Sequence, residues 1–488
     1  MERLVFGYGT SRHHGETPDR AGSFEPAPAP AADPPAPAAR VVKARLGEPR
    51  DWAFLGLMAF TGLLFFRPQD LITPLRVLHL AEIAALLALG ALISARMSRS
   101  LLVTRLTPEL IGVLAFAFVI LATAPFAVWM GGAVGTFTEL YAKVVLIFVL
   151  MVNTLTSPRR MRQFVWLIVI ATGYIGMRAV LDYGRGINLV EHGRVQGSIG
   201  GMFKNPNDLA LNMVAVLPFA VFLVLQPVSM LKRALAAFCA AMMLGAIVAS
   251  QSRSGTVGLA AMTLVLGAQL LKRKPGLVIA VAFAGLLALP ALPSSYWQRL
   301  ESITNEKLDE TGSREARSVL LRESFDAFVA HPFTGVGAGQ FKNYNPEGRE
   351  EAWRESHNVV LQVAAELGIA GLSVFVFLVA RAFMAPAQTR RLLRAAAPNR
   401  RHPTASDVEP LSEEEYEALS LHAGAVTAAL AGWFFCALFA SVAYHWTFYY
   451  LLALAVAPRD YLLARATAAR SGRRAAAART VAAAGAHA

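Results

Sequence analysis

Apolar residues in this chain come in blocks, not in the alternation of a half-buried strand or the one-sided stripe of a soluble helix. The blocks fall at 52–66, 76–95, 109–129, 139–155, 163–181, 208–226, 234–249, 255–271, 277–292, 357–383, 422–440 and 442–458. A helix needs about 20 mostly apolar residues to cross the hydrocarbon core of a bilayer. A block that is apolar on every side predicts a helix bounded by lipid or by other helices. The pattern therefore predicts an all-α integral membrane protein with about twelve transmembrane helices. The last two blocks nearly touch, so one re-entrant hairpin is the alternative to two spans.

The polar stretches between the blocks sort by charge. Residues 1–50 include a run of mostly Pro and Ala from Pro26 to Arg40 and lack the apolar core of a signal peptide. They read as a disordered cytoplasmic tail. Alternate connections then carry Arg96, Arg99 and Arg105; Arg159, Arg160 and Arg162; Lys232 and Arg233; Lys272, Arg273 and Lys274; and Arg390, Arg391, Arg394, Arg400 and Arg401. The end of the chain, 459–488, is basic as well. Lys and Arg are retained on the cytoplasmic side of a membrane. Both termini are thus expected to be cytoplasmic. The excess of 46 Lys+Arg over 33 Asp+Glu, a net +13, is accounted for by topology, and nucleic acid is not expected as a partner.

The opposite, outer face is expected to hold 67–75, 130–138, 182–207, a tight turn near 250–254 and the long segment 293–356. That segment carries 11 acidic and 8 basic residues, too polar for membrane. Val319, Leu320, Phe325 and Phe328 recur at near-helical spacing after Ser313, a candidate N-cap. A small helical domain outside the membrane is expected at 293–356. Helices one to nine then span 51–292, with an outer loop at 182–207. Three more span 357–458 around a cytoplasmic loop at 384–421. Cys239 and Cys436 lie inside apolar blocks and read as small buried hydrophobes.

Cations on the outer face run against the bias and need a reason. Arg253 lies in Ser250-Gln251-Ser252-Arg253-Ser254-Gly255, at the edge between two spans. A guanidinium there is costly unless paired, and its planar fork suits phosphate. Snorkelling to the interface is the alternative. Arg194 precedes Asn205-Pro206-Asn207-Asp208, a run that also suits a capped helix start. It reads equally as a solvated loop charge. His357, in Glu355-Ser356-His357-Asn358, stands where the long segment enters its span. The positive end of a helix dipole keeps a histidine neutral and able to accept a proton; a satisfied structural histidine is the alternative. The glycine-rich stretch His331 to Gly339 has no P-loop lysine, and a sharp backbone turn is expected there. No carboxylates sit with metal-site spacing at the outer edge, so no metal is expected.

These stretches, in this order, resemble the O-antigen ligase and polymerase superfamily, bacterial membrane glycosyltransferases with a GT-C-like fold. The likeness rests on GRVQGSIGGMFKNPNDLA (193–210), SQSRSG (250–255), HPFTGVGAGQF (331–341) and SHNVVLQVAAELGIAGL (356–372). It covers roughly residues 52–458. The resemblance implies a glycan donor linked to undecaprenyl pyrophosphate. It implies an acceptor that is a glycan, a lipid A-core or a protein hydroxyl, and neither cofactor nor metal. It implies that Arg194 and Arg253 engage the pyrophosphate, and that His357 takes the acceptor's proton in an inverting transfer. Arg314, in Gly312-Ser313-Arg314, is expected on the acceptor or glycan side, with a solvated helix-start charge as the alternative. Asn205, Asn207 and Asn358 are expected to bind substrate. A transporter would also need many helices, but no matching pair of Gly/Pro-broken spans is evident. A non-catalytic scaffold leaves Arg253 and His357 unexplained.

Overall fold

The computed structural model describes residues 51–68, 73–190, 193–198, 203–301, 313–350, 353–397 and 411–485. The tail 1–50 lies outside them. Every apolar block carries a helix. In chain order they are α1 (Trp52–Phe66), α2 (Leu80–Met97), α3 (Pro108–Thr123), the short α4 (Met130–Thr136), α5 (Ala142–Thr154) and α6 (Pro158–Arg185). A two-stranded hairpin follows, β1 (Leu189–Val190) antiparallel to β2 (Arg194–Val195). The chain continues through α7 (Pro206–Leu225), α8 (Met230–Ser250), α9 (Arg253–Leu271) and α10 (Pro275–Ala288). Two helices of the long polar segment come next, α11 (Ser294–Glu301) and α12 (Ser313–Ala330). The last three are α13 (Val359–Ala395), α14 (Glu413–Ala437) and α15 (Trp446–Gly485).

Side chains set many of the starts. Asp51, Thr107, Ser157, Asn205, Ser252, Asn358 and Ser412 each accept a first-turn amide, satisfying donors that lipid cannot. Among the described residues, nine helical segments are long and apolar enough to cross a membrane, and α1 and α10 are apolar but shorter. The protein is an all-α integral membrane protein. At its centre lies α7, the most enclosed of these segments, flanked by α6, α8, α9 and α14. Both cysteines are buried.

Several boundaries differ from the sequence expectation, among them the start of α14 at Glu413 where the span was expected from 422. Residues 130–138 are not a connection: α4 runs through a π-helical turn, Phe137–Tyr141, into α5. The span expected from 357 begins at Val359, with Asn358 as its cap, so His357 precedes the helix. Helix α13 continues to Ala395, and α15 runs unbroken through Pro458 to Gly485. Their Ala-, Leu- and Arg-rich sequences are strong helix formers, so neither helix stops at the apolar edge. On α12 the buried stripe is Ala316, Leu320, Ser324 and Ala327, whereas Phe325 is exposed. Small residues there let α12 lie close against α13.

At the end of the bundle where the basic connections gather, Glu109 is completely buried. Arg459 grips it with both nitrogens, at 2.6 and 2.9 Å, and Arg381 adds a third contact at 2.6 Å. Losing one partner of such a cluster leaves uncompensated buried charge, at a cost of about 3–5 kcal/mol. Glu109→Ala is therefore expected to lower the thermal midpoint of the purified protein markedly. Replacing Arg381 and Arg459 with leucine in the same variant should recover much of the loss. An unchanged midpoint in the single variant would mean the cluster contributes no net stability.

Candidate active site

The turn joining α8 to α9 builds one wall of the site. Helix α8 ends at Ser250, Gln251 turns the chain with φ +48°, and Ser252 caps α9 by accepting the Gly255 amide at 3.1 Å. Ser250, Gln251, Ser252 and Ser254 are all buried. Arg253 is the first residue of α9, at the helix end where unpaired amides and the dipole favour an anion.

Arg194 braces this turn from behind. Its Nε donates to the Ser250 carbonyl at 3.2 Å and its Nη2 to Asn207 Oδ1 at 2.7 Å. Asn207 Oδ1 also accepts the Ser252 hydroxyl at 2.8 Å, and Ser252 meets Ser254 at 3.0 Å. The β-hairpin, the start of α7 and the start of α9 are thereby locked together. Asn205 is exposed and uses its side chain to hold the Asn207 amide as the α7 cap.

The opposite wall comes from the entry to α13. His357 sits with φ +49°, and its amide donates to Ser441 Oγ at 3.0 Å. Asn358 Oδ1 accepts the amides of Val360 and Leu361, and its Nδ2 donates to the Leu438 carbonyl. Asn358 thus pins His357 against the turn 438–445 between α14 and α15. Its hydrogen-bonding atoms are engaged in that task.

Between these walls is a cavity of about 520 Å³. Arg253, Arg317 and His357 supply its chemistry. Val257, Leu321, Leu438 and Phe439 make an apolar side. The structure thus brings two of the expected residues, Arg253 and His357, into one chamber. Arg194 and Asn207 stand at its back, and Asn205 and Asn358 cap the helices that frame it. Arg314 lies in the first turn of α12, and its side chain is outside the described residues.

Arg317 was missed by sequence reasoning. It lies one helical turn beyond Arg314, and the stripe Ala316–Leu320–Ser324–Ala327 fixes the register that turns Arg317 to the chamber. Burial first, and then the nearby charges of Arg317 and Arg354, lower the His357 pKa to about 4. The imidazole is neutral at neutral pH and able to accept a proton. An anion bound to these arginines would raise its basicity toward the working range.

The glycine-rich stretch does more than turn the chain. Helix α13 is broken at Gly368, where φ is +64° and ψ −162°. The loop 332–339 docks into the break. Ile369 donates to the Pro332 carbonyl at 2.7 Å, Val336 to Ala365 and Gly337 to Glu366, both at 2.9 Å. A Cβ on Gly335 would lie 2.2 Å from the Glu366 carbonyl carbon, and one on Gly368 2.6 Å from the Pro332 oxygen. Only glycine allows this approach. The Glu366 carboxylate then accepts the Gly339 amide and the Tyr444 hydroxyl, both at 2.8 Å. One buried side chain so joins the loop, α13 and the 438–445 turn that holds His357.

Arg317→Gln removes a positive neighbour of His357 and one of the two guanidinium groups that line the chamber. Turnover should fall about tenfold or more at every pH. The acid limb of kcat/KM, set by a His357 that must be neutral, should move to higher pH. A limb that stays in place would separate Arg317 electrostatically from His357.

Residues 238–376 match the protein-family model described as O-Antigen ligase. No curated protein matches the chain. The matched region contains Arg253, Arg317, the glycine-rich loop and His357, and leaves out Arg194 and Asn207. Over residues 238–376 the chain is thus similar to the O-antigen ligases, and this stretch supplies Arg253, Arg317 and His357 to the chamber.

Proposed function

We propose that the protein transfers a glycan from undecaprenyl pyrophosphate to an acceptor hydroxyl at the periplasmic face of the bacterial inner membrane. The observation that carries this reading is the single chamber that holds Arg253, Arg317 and His357 beside an apolar wall. Two guanidinium groups suit a diphosphate, and Val257, Leu321 and Phe439 suit the start of its polyprenyl chain. The basic connections at the opposite end of the bundle support a cytoplasmic placement of that end.

In this scheme the acceptor oxygen attacks the anomeric carbon from the side opposite the pyrophosphate. The new C–O bond forms as the bond to the pyrophosphate oxygen breaks, inverting the configuration. The acceptor's proton passes to the free ring nitrogen of His357. The leaving pyrophosphate gains negative charge, which Arg253, Arg317 and the α9 amino terminus stabilise. Arg194 acts at one remove, through Asn207 and Ser252, by fixing the turn that carries Arg253.

The test is release of the free carrier by the purified protein in lipid, wild type beside Arg253→Ala. Each is supplied with a polyprenyl-pyrophosphate glycan, with and without a lipid A-core acceptor. Arg253-dependent release supports the transferase; one capped product means ligase and a ladder from donor alone means polymerase. Release equal in both proteins, or none from folded wild type with either acceptor, overturns the reading.

A further inference from the structure

The segment that leads into His357 is held at both ends. On one side the Ser356 hydroxyl meets that of Ser441 at 3.3 Å, and the His357 amide donates to the same Ser441 oxygen. On the other side the buried Arg349 side chain acts as a clamp. It donates to Glu323 of α12 at 3.3 Å and to the carbonyls of Phe341, Tyr344 and Arg354. Its guanidinium also lies over the Phe341 ring, 4.4 Å from the centroid. The Glu350 amide donates to the second Glu323 oxygen at 2.7 Å.

Between these anchors stands Trp353, in a conformation that bulky residues rarely adopt. Its φ is +67°, and the residue is 76% exposed. Strain of this kind persists only where the surroundings impose it, and it gathers at ligand clamps. Core packing does not account for it, because the residue is uncovered. Trp353 is also close to the reacting centre. The four residues from Trp353 to His357 span at most about 14 Å. Ser356 and His357 line the chamber, and the charge of Arg354 acts on His357. Arg354 and Glu355 are exposed beside Trp353, and they offer a donor and an acceptor to hydroxyl groups.

We propose that Trp353 is a positioning residue for the donated glycan, its indole face being the platform for a sugar beyond the one that reacts. The inference rests on the transferase reading above and deepens it. In that reading the reacting sugar lies between His357 and the arginines, so the rest of the glycan leaves the chamber past its rim. A pyranose carries hydroxyls around its edge and C–H groups on its faces. The C–H face suits the negative face of an aromatic ring, while Arg354 and Glu355 can meet the hydroxyls. Such a platform sets the affinity for longer glycans and takes no part in bond making. A donor with a single sugar does not reach it.

The test is equilibrium binding and carrier release by the full-length protein in nanodiscs. Two donors are compared, polyprenyl pyrophosphate bearing one sugar and the same carrier bearing the oligosaccharide of the source cell. Trp353→Gly removes the ring and accepts the positive φ without strain. Trp353→Asn, which also tolerates this region, serves if the glycine variant does not fold. Either should weaken binding of the longer donor about tenfold and leave the one-sugar donor within about twofold of wild type. In turnover the loss should fall in KM and spare kcat. Trp353→Phe keeps an aromatic face and should recover most of the affinity. Unchanged binding of the longer donor overturns the proposal and leaves Trp353 as an interfacial anchor, a role tryptophan fills at membrane edges. An equal loss on both donors, or one that Trp353→Phe does not repair, overturns it as well, because a purely structural residue would behave that way. Binding reads the platform without turnover, so a carrier release that ignores Arg253 would count against the transferase reading and not against Trp353.

Discussion

His357→Asn is expected to cut glycan transfer by about 10²–10⁴-fold, the range for losing a positioned general base, while binding of the donor is retained. Asparagine is the informative replacement. His357 has φ +49°, a conformation that asparagine tolerates better than most residues, so the backbone and its amide bond to Ser441 should persist. The neighbouring arginines also persist, so donor affinity should change little. Single-turnover carrier release beside an equilibrium donor-binding measurement reads the two effects separately. Transfer at the wild-type rate would remove His357 as the base. Loss of donor binding in equal measure would make it a binding residue.

Arg253→Lys comes second, with an expected loss of about 10²-fold or more in kcat/KM, comparable to removing one preorganised donor to a developing anion. Charge is conserved in this variant, so a purely electrostatic attraction for the donor should largely survive. The planar fork is lost, and with it two-point contact to phosphate oxygens. Ser252 still caps the helix, so the turn should hold. The expected signature is a larger loss in kcat than in donor affinity. Turnover equal to wild type would leave Arg253 as an interfacial cation with no part in the reaction.

The helices were legible because lipid leaves a chain little choice. Backbone groups must be satisfied within the segment, so long apolar blocks become helices, and all twelve blocks do. Arg253 and His357 were legible because each stands where a charge or titratable group is out of place. Other features depend on neighbours. Gly131, Gly132 and Gly135 read as a connection, yet α4 forms there as the start of a longer helical segment. Arg314 and Arg317 are indistinguishable until the register of α12 is known, and small residues, not the larger apolar ones, set that register. Nothing local in 331–339 reveals that a helix break 30 residues downstream is its partner. Asn205 and Asn358 cap α7 and α13, and a cap and a ligand contact call for the same side chain, so the sequence alone does not separate the two roles.

That partnership between the loop 332–339 and the break at Gly368 bears on how the protein is made. Residues 332–339 leave the ribosome before 359–395. The amide of Ile369 donates to Pro332, and Glu366 accepts the Gly339 amide beside the Tyr444 hydroxyl. A bare apolar segment entering the bilayer would instead favour an unbroken helix, with every amide satisfied within the segment. The break therefore depends on the loop, and it forms once residues 332–339 and the inserted helix meet. Until then the 438–445 turn that holds His357 lacks its tie through Glu366 to the loop.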